Sequence, residues 1–366
     1  MNPQPSSTHA PIPGRGAHTN PPNRFEPLLL TPDPDYLAAL STDPDGADAA
    51  RPHPHTQFFV DGTESLLTKN DSPDLPFTFG LNPYRGCEHG CAYCFARPYH
   101  EYLGWSSGLD FETKIMVKTR APALLRRELS SPRWEPENIA MSGATDCYQP
   151  AERHFRITRG CLEVCAEFRQ PISIVTKNAL VARDRDLLAE LARHQATAVY
   201  LSITTLDTEL AGKLEPRAAR PAARLRAIRE LTDAGIPTGV MVAPVLPGLT
   251  DHELPAILDA AAAAGATRAG YIVLRLPHAV KDVFIQWLDD HAPTKKARVL
   301  DRIREIRGGS LNVSEWGTRL RGEGIFADQI RELFRATARR AGLNEQRHPL
   351  SPAAFRRPGG QQLALF

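Results

Sequence analysis

The sequence predicts an α/β fold organised on a parallel sheet, and three observations point there. From about residue 76, short apolar runs alternate with longer stretches of helical period. Those runs are apolar on both faces, as strands covered by helices on each side must be. The 366 residues, 42% of them hydrophobic, suffice for one large core plus appendages or for two modest domains. Strands are expected at 77–81, 139–141, 172–176, 198–203, 239–243 and 271–276, and helices near 152–168, 184–194, 218–234 and 251–264. Six such units either form an open doubly wound sheet or curl into a barrel short of the eight strands that close one. In both arrangements a ligand site lies at the C-terminal ends of the strands.

The flanks differ in composition. Residues 1–75 read as a Pro-rich N-terminal arm, partly disordered and otherwise extended. Within it, Gly14-Arg15-Gly16 and the run from Asn20 to Phe25 are suited to docking on the body at a place the sequence does not indicate. Residues 76–293 form the expected core, and 294–366 a helical, basic C-terminal extension in which residues 331–366 carry seven Arg against two Glu. The net charge of +2 excludes a polycation that coats polyanions as a whole. No apolar run approaches the roughly 20 residues that span a bilayer, so no membrane partner is expected. The first 25 residues lack the apolar segment of a secretory signal. Six cysteines, three of them within residues 87–94, do not resemble a secreted disulfide framework; a cytoplasmic protein that binds metal is the expectation.

The chemistry concentrates in Asn82-Pro83-Tyr84-Arg85-Gly86-Cys87-Glu88-His89-Gly90-Cys91-Ala92-Tyr93-Cys94-Phe95, directly after the first expected strand. Three thiolates on one short loop can hold three corners of a cubane cluster and leave one iron open. The glycines at 86 and 90 allow the backbone to turn. Zinc is the rival metal, but structural zinc favours two separated Cys/His pairs, and His89 alone lies close by. Cys161 and Cys165 fall at i, i+4 on an expected helix, where burial on its apolar face is favoured over a second metal site shared with Cys147.

The spacing Cys87-x3-Cys91-x2-Cys94 with Tyr93 before the third cysteine resembles the signature of the radical S-adenosylmethionine (SAM) superfamily. That resemblance implies a partial (β/α)6 TIM-type radical SAM barrel and two cofactors, a [4Fe-4S] cluster on Cys87, Cys91 and Cys94 and SAM on the open iron. It also implies reductive cleavage of SAM to a 5′-deoxyadenosyl radical, and an electron donor such as flavodoxin or ferredoxin. Tyr93 matches the aromatic beside the adenine. Ser142, Thr145 and Asp146 follow the second strand, where the superfamily meets the methionyl ammonium, although the usual Gly-Gly-Glu is absent. Lys177 and Ser202 end later strands and suit the SAM carboxylate or ribose, as do Glu215 and Arg217, placed at the opening of the next helix; the backbone of 243–251 suits the adenine.

Asn-Pro-Tyr-Arg-Gly-Cys, Thr-Asp-x-Tyr-Gln-Pro-x-Glu and Leu-Glu-Pro-Arg together resemble the branch related to spore photoproduct lyase, and within it an uncharacterised bacterial group. That branch implies a nucleic-acid substrate. The lyase's donor cysteine just before the strand-two serine is missing here, and Cys147, just after it, is either the replacement hydrogen donor or a buried inert thiol. The final Gln362-Leu363-Ala364-Leu365-Phe366 resembles the peptide that bacterial repair proteins insert into the sliding clamp, and the basic residues before it suit phosphates. The competing expectations are radical chemistry on a protein or small metabolite, and a non-catalytic, cluster-bearing clamp partner.

Overall fold

The computed structural model describes residues 12–25, 55–345 and 349–358. Its strands are β1 Gln57–Val60, β2 Leu67–Lys69, β3 Phe79–Leu81, β4 Tyr84–Arg85, β5 Lys114–Val117, β6 Ile139–Met141, β7 Ile172–Thr176, β8 Thr197–Ser202, β9 Thr238–Val245 and β10 Arg268–Val273. Its α-helices are α1 Leu109–Thr113, α2 Ala121–Ser130, α3 Glu152–Phe155, α4 Ile157–Phe168, α5 Arg185–Arg193, α6 Thr208–Leu214, α7 Pro221–Asp233, α8 Leu254–Ala263, α9 Val280–His291, α10 Lys296–Glu305 and α11 Gly324–Arg340. None of the helices among these residues is long and apolar enough to cross a membrane.

The main sheet runs β10-β9-β8-β7-β6-β3-β2. Six of these strands pair in parallel and in chain order, with Phe79 opposite Ile139, Ile139 opposite Ile172 and Ile172 opposite Thr197. Each connection steps to the next neighbour in one direction, which is barrel order; a doubly wound sheet reverses at a switch point. The open six-stranded parallel α/β arrangement expected from the sequence is therefore the observed one, with β2 added antiparallel on β3.

Side-chain chemistry explains where the elements begin and break. Pro221 sits in the first turn of α7, where its missing N–H costs nothing. Asp207 caps α6 by accepting from the amides of Glu209 and Leu210. The single helix expected over 152–168 is two, because Arg156 turns left-handed at φ 54°. The Glu152 carboxylate folds back there and caps α4, accepting from the amides of Thr158 at 2.9 Å and Arg159 at 3.3 Å. Likewise α6 precedes the helix expected at 218–234, so Leu214-Glu215-Pro216-Arg217 closes one helix instead of opening the next. Cys161 and Cys165 share the buried face of α4 in the main core, as expected.

Two strands fall inside the stretch expected as an arm. β1 pairs in parallel with β5, and β4 pairs with β5 from the other side, making a small second sheet. Phe58 and Phe59 supply the reason, packing edge-on against Phe155 and at a tilt against Trp105. The C-terminal extension packs on the body: Phe334 of α11 stacks on Tyr271, and Arg357 donates to the carbonyls of Ser131 and Trp134. The tail at 362–366 lies outside the described residues.

Candidate functional site

The cysteine loop hangs between β4 and a 3-10 segment, Arg97–Leu103. Gly86 and Gly90 both take left-handed φ, 79° and 66°, and a Cβ at Gly90 would sit 2.6 Å from the Glu112 carboxylate. The three thiols end up buried or nearly so, near one another. Burial pushes all three up, and the charges of neighbouring Asp146, Glu215 and the other thiols raise Cys87 and Cys91 further. Three thiolates persist in such a place only beside a cation, and an all-sulfur donor set suits iron–sulfur ligation. Among the described residues, no three His, Cys, Asp or Glu side chains stand close enough to share one metal ion; a cubane instead gives each thiolate its own iron. The residues present therefore fit a cluster.

Much of the Thr-Asp-x-Tyr-Gln-Pro-x-Glu segment holds this loop in place. Asn82 accepts from the amides of Ala144 and Thr145, and the Thr145 hydroxyl donates to the Tyr84 carbonyl at 2.8 Å. Gln149 brackets the loop, donating to the Gly86 carbonyl at 3.1 Å and accepting from the Glu88 amide at 2.9 Å. Tyr84 donates to Glu152 at 2.5 Å. Asp146 accepts from the Thr176 hydroxyl and the amides of Lys177 and Tyr148, with His89 at 3.4 Å. Burial works against the Asp146 charge, but His89 and these donors hold its carboxyl below the usual range.

The N-terminal segment docks on the other side of the same loop. The amides of Gly16 and Ala17 donate to the Glu112 carboxylate at 3.1 and 2.9 Å. Glu112 in turn pairs with Arg97, both fully buried, and Arg97 donates twice to the Cys91 carbonyl. The segment is further anchored by His18 against Asp290 and by Arg24 against Glu101.

A second polar cluster forms where the strands end. Lys177 follows β7, Ser202 ends β8, Thr204 lies just beyond, and Tyr93 reaches in from the cysteine loop. The Lys177 ammonium donates to Ser202 and to the Ala243 carbonyl, both at 2.7 Å, lies 3.5 Å from Glu215, and stands 5.7 Å from the Tyr93 ring centroid. Glu215 accepts from the Tyr93 and Thr204 hydroxyls and pairs with buried Arg224. Burial alone would raise the Glu215 carboxyl; the charges of Arg224 and Lys177 and the Tyr93 hydroxyl outweigh it and hold it well below the usual range. Leu214, Leu246, Leu274 and Phe284 form the apolar wall behind Cys91 and Tyr93.

Of the residues singled out in the sequence, the fold thus gathers Tyr93, Lys177, Ser202 and Glu215 beside Cys91, and Asp146 beside Cys87. Ser142, Thr145 and Asp146 lie at the second strand end, with their polar atoms engaged by backbone and neighbours. Ser142 adopts φ 75° and accepts from the Cys147 amide at 2.9 Å. Cys147 is wholly buried in the main core behind Ser142, and burial pushes its thiol up. Arg217 turns outward to Glu88 at 3.0 Å and to Thr56. Thr204, Arg224, Gln149 and Glu112 were not singled out. Their neighbours are distant in sequence, and only Gln149 lay within a recognisable motif.

Residues 81–261 match the family described as the Radical SAM superfamily. An uncharacterised protein of Mycobacterium tuberculosis is 42% identical over 234 residues, covering 63% of this chain and 68% of its own. A Pseudomonas phage M6 protein named radical SAM Nalpha-GlyT isomerase is 29% identical over 173 residues, 47% of this chain and 34% of its own. Spore photoproduct lyase complexed with dinucleoside spore photoproduct shares the fold, with a TM-score of 0.54 at 16% identity over 78% of this chain and 80% of that one.

Proposed function

Because this chain belongs to the radical SAM superfamily, we propose that Cys87, Cys91 and Cys94 hold its [4Fe-4S] cluster and that the Lys177–Glu215 cluster receives SAM. Bound together, cluster and SAM supply reductive cleavage to methionine and a 5′-deoxyadenosyl radical, the hydrogen-abstracting species. The observation that carries this reading is the convergence of two buried thiols and a half-buried third with a largely buried ammonium and a buried carboxylate at the strand ends.

Lys177 offers the positive charge for the methionyl carboxylate, with Ser202 and Thr204 as hydroxyl neighbours. Glu215, kept ionised by Arg224, accepts hydrogen bonds from ribose or ammonium. Tyr93 fixes Glu215 through its hydroxyl and presents its ring to the ligand. The apolar wall behind Tyr93 excludes water from the reacting region. An electron-donor protein of flavodoxin or ferredoxin type completes the system.

We take the substrate to be a nucleic acid. Support comes from the exposed aromatics beside the cysteine loop, Phe95, Tyr99 and Tyr102, which suit unstacked bases. The similar lyase structure also holds a dinucleoside photoproduct. Anaerobic reconstitution with iron and sulfide, followed by SAM and reductant, is expected to yield 5′-deoxyadenosine and to lose that yield in Cys94→Ala. Intact cluster absorbance without 5′-deoxyadenosine would refute the reading.

A further inference from the structure

Arg275 follows the end of β10 and so stands at the same mouth as Lys177 and Ser202. Its guanidinium lies over the Phe95 ring, 5.6 Å from the centroid, one residue beyond the third cysteine of the loop. Among the described residues it forms no ion pair, and its buried Nε has no acceptor.

The charges around it are mostly of its own sign. Arg319 lies close enough to repel it, and Arg307 stands behind, almost wholly buried. Arg307 is committed to four backbone carbonyls, those of Val273, Leu274, Thr318 and Arg319. Asp74 is the nearby carboxylate, and it is already engaged by the Arg319 guanidinium and the Gly317 amide, both at 2.6 Å. Burial and Arg319 together hold Arg275 below the ordinary arginine range, and burial and Arg275 bring Arg307 down to about 10. Guanidiniums held close together and partly shielded from water, with one carboxylate already in use, form a receptor for an anion.

The anion's neighbours are defined too. Phe95 and Tyr99 are 41% and 56% exposed beside Arg275, and Trp316, 48% exposed, lies under Arg319 at 5.0 Å. Exposed rings interleaved with guanidiniums suit a nucleotide whose base has left its stack, ring against ring and phosphate against cation. An apolar peptide or metabolite would leave the guanidiniums without a counter-charge.

We propose that Arg275, with Arg319 beside it, binds a backbone phosphate of a single-stranded or extruded nucleotide, and that Phe95, Tyr99 and Trp316 form the platform for its base. The identity of the ligand rests on the nucleic-acid reading above; the anion site itself rests on the guanidinium geometry.

The test measures anisotropy of a fluorescein-labelled single-stranded DNA 12-mer on the reconstituted full chain, with SAM binding followed separately by equilibrium dialysis. Arg275→Gln is expected to weaken DNA binding about tenfold and to lower the salt slope by about one, while SAM is retained. Phe95→Ala is expected to weaken DNA about tenfold with the salt slope unchanged. Arg275→Lys, which keeps the charge, should recover part of the loss and shows that the fold tolerates the position. DNA binding by Arg275→Gln within twofold of wild type would overturn the proposal. So would a variant that loses SAM and keeps DNA, or a wild-type chain that makes 5′-deoxyadenosine but binds no DNA; that last result would leave the radical chemistry standing.

Discussion

Glu215 shows how one side chain joins stability to the site. It is 1% exposed and neutralises Arg224, which is equally buried. Glu215→Ala leaves that guanidinium buried without a counter-charge, and we expect a loss of about 3–5 kcal/mol in urea unfolding. Glu215→Gln keeps the shape and part of the hydrogen bonding and should lose less. His100 makes a separate prediction. Burial pulls it from 6.5 to about 4, so it is neutral in the folded protein at neutral pH. Its depressed value means the associated stability is fully present above about pH 6.5 and is lost as pH falls towards 4. The loss amounts to about 3 kcal/mol. His100→Phe should flatten that part of the stability profile, measured by denaturation at pH 7.5, 5.5 and 4.5; an unchanged slope would refute it. At this scale the cysteines were legible because their spacing is itself the signal. Thr145 and Asp146 were singled out by their place after the second strand, but the particular partners they find, the Tyr84 carbonyl, the Thr176 hydroxyl and the Lys177 amide, could not be read from it. A sequence shows that a hydroxyl is near a strand end, not which backbone carbonyl it will find.

Among the elements, the docked segment 12–25 has the clearest consequence. A Cβ on Gly16 would lie 1.7 Å from the Gly90 carbonyl oxygen, backbone against backbone, with no flexible atom to yield. Gly16→Val must therefore displace the segment and uncover Glu112 and the back of the cysteine loop. We expect faster bleaching of the 400 nm band in air, with secondary structure retained by circular dichroism. Bleaching at the wild-type rate, with the segment shown to be released by limited proteolysis, would contradict this. Elements with apolar periodicity were legible: β6 and β7 lie where the sequence placed them, and α5 and α8 within a few residues. The break between α3 and α4 was not, because it depends on Glu152 turning back to cap Thr158. Nor was β1, a four-residue strand whose pairing with β5 joins residues some 57 positions apart.

Across the whole molecule, charge is local. The net +2 supplies little long-range attraction, so any affinity for nucleic acid must come from patches such as that around Arg275. We expect the logarithm of DNA affinity to fall with the logarithm of salt at a shallow slope, equivalent to a few phosphate contacts. A steep slope would point to the basic C-terminal extension as the main contact. The order of the six parallel strands brings Cys91, Lys177, Ser202 and Arg275 to one mouth, although they span 185 positions of the chain. On the proposed reading, Lys177 and Ser202 would receive SAM there beside the cysteine loop, and Arg275 would hold the substrate. The most direct test of that reading is product analysis after anaerobic reconstitution, comparing wild type with Lys177→Met at matched cluster content. Wild type should form 5′-deoxyadenosine and Lys177→Met should form at least tenfold less, with KM for SAM raised, as expected for loss of about 1.4 kcal/mol or more of charge-assisted binding. Equal yields and equal KM would contradict the placement of SAM at this mouth.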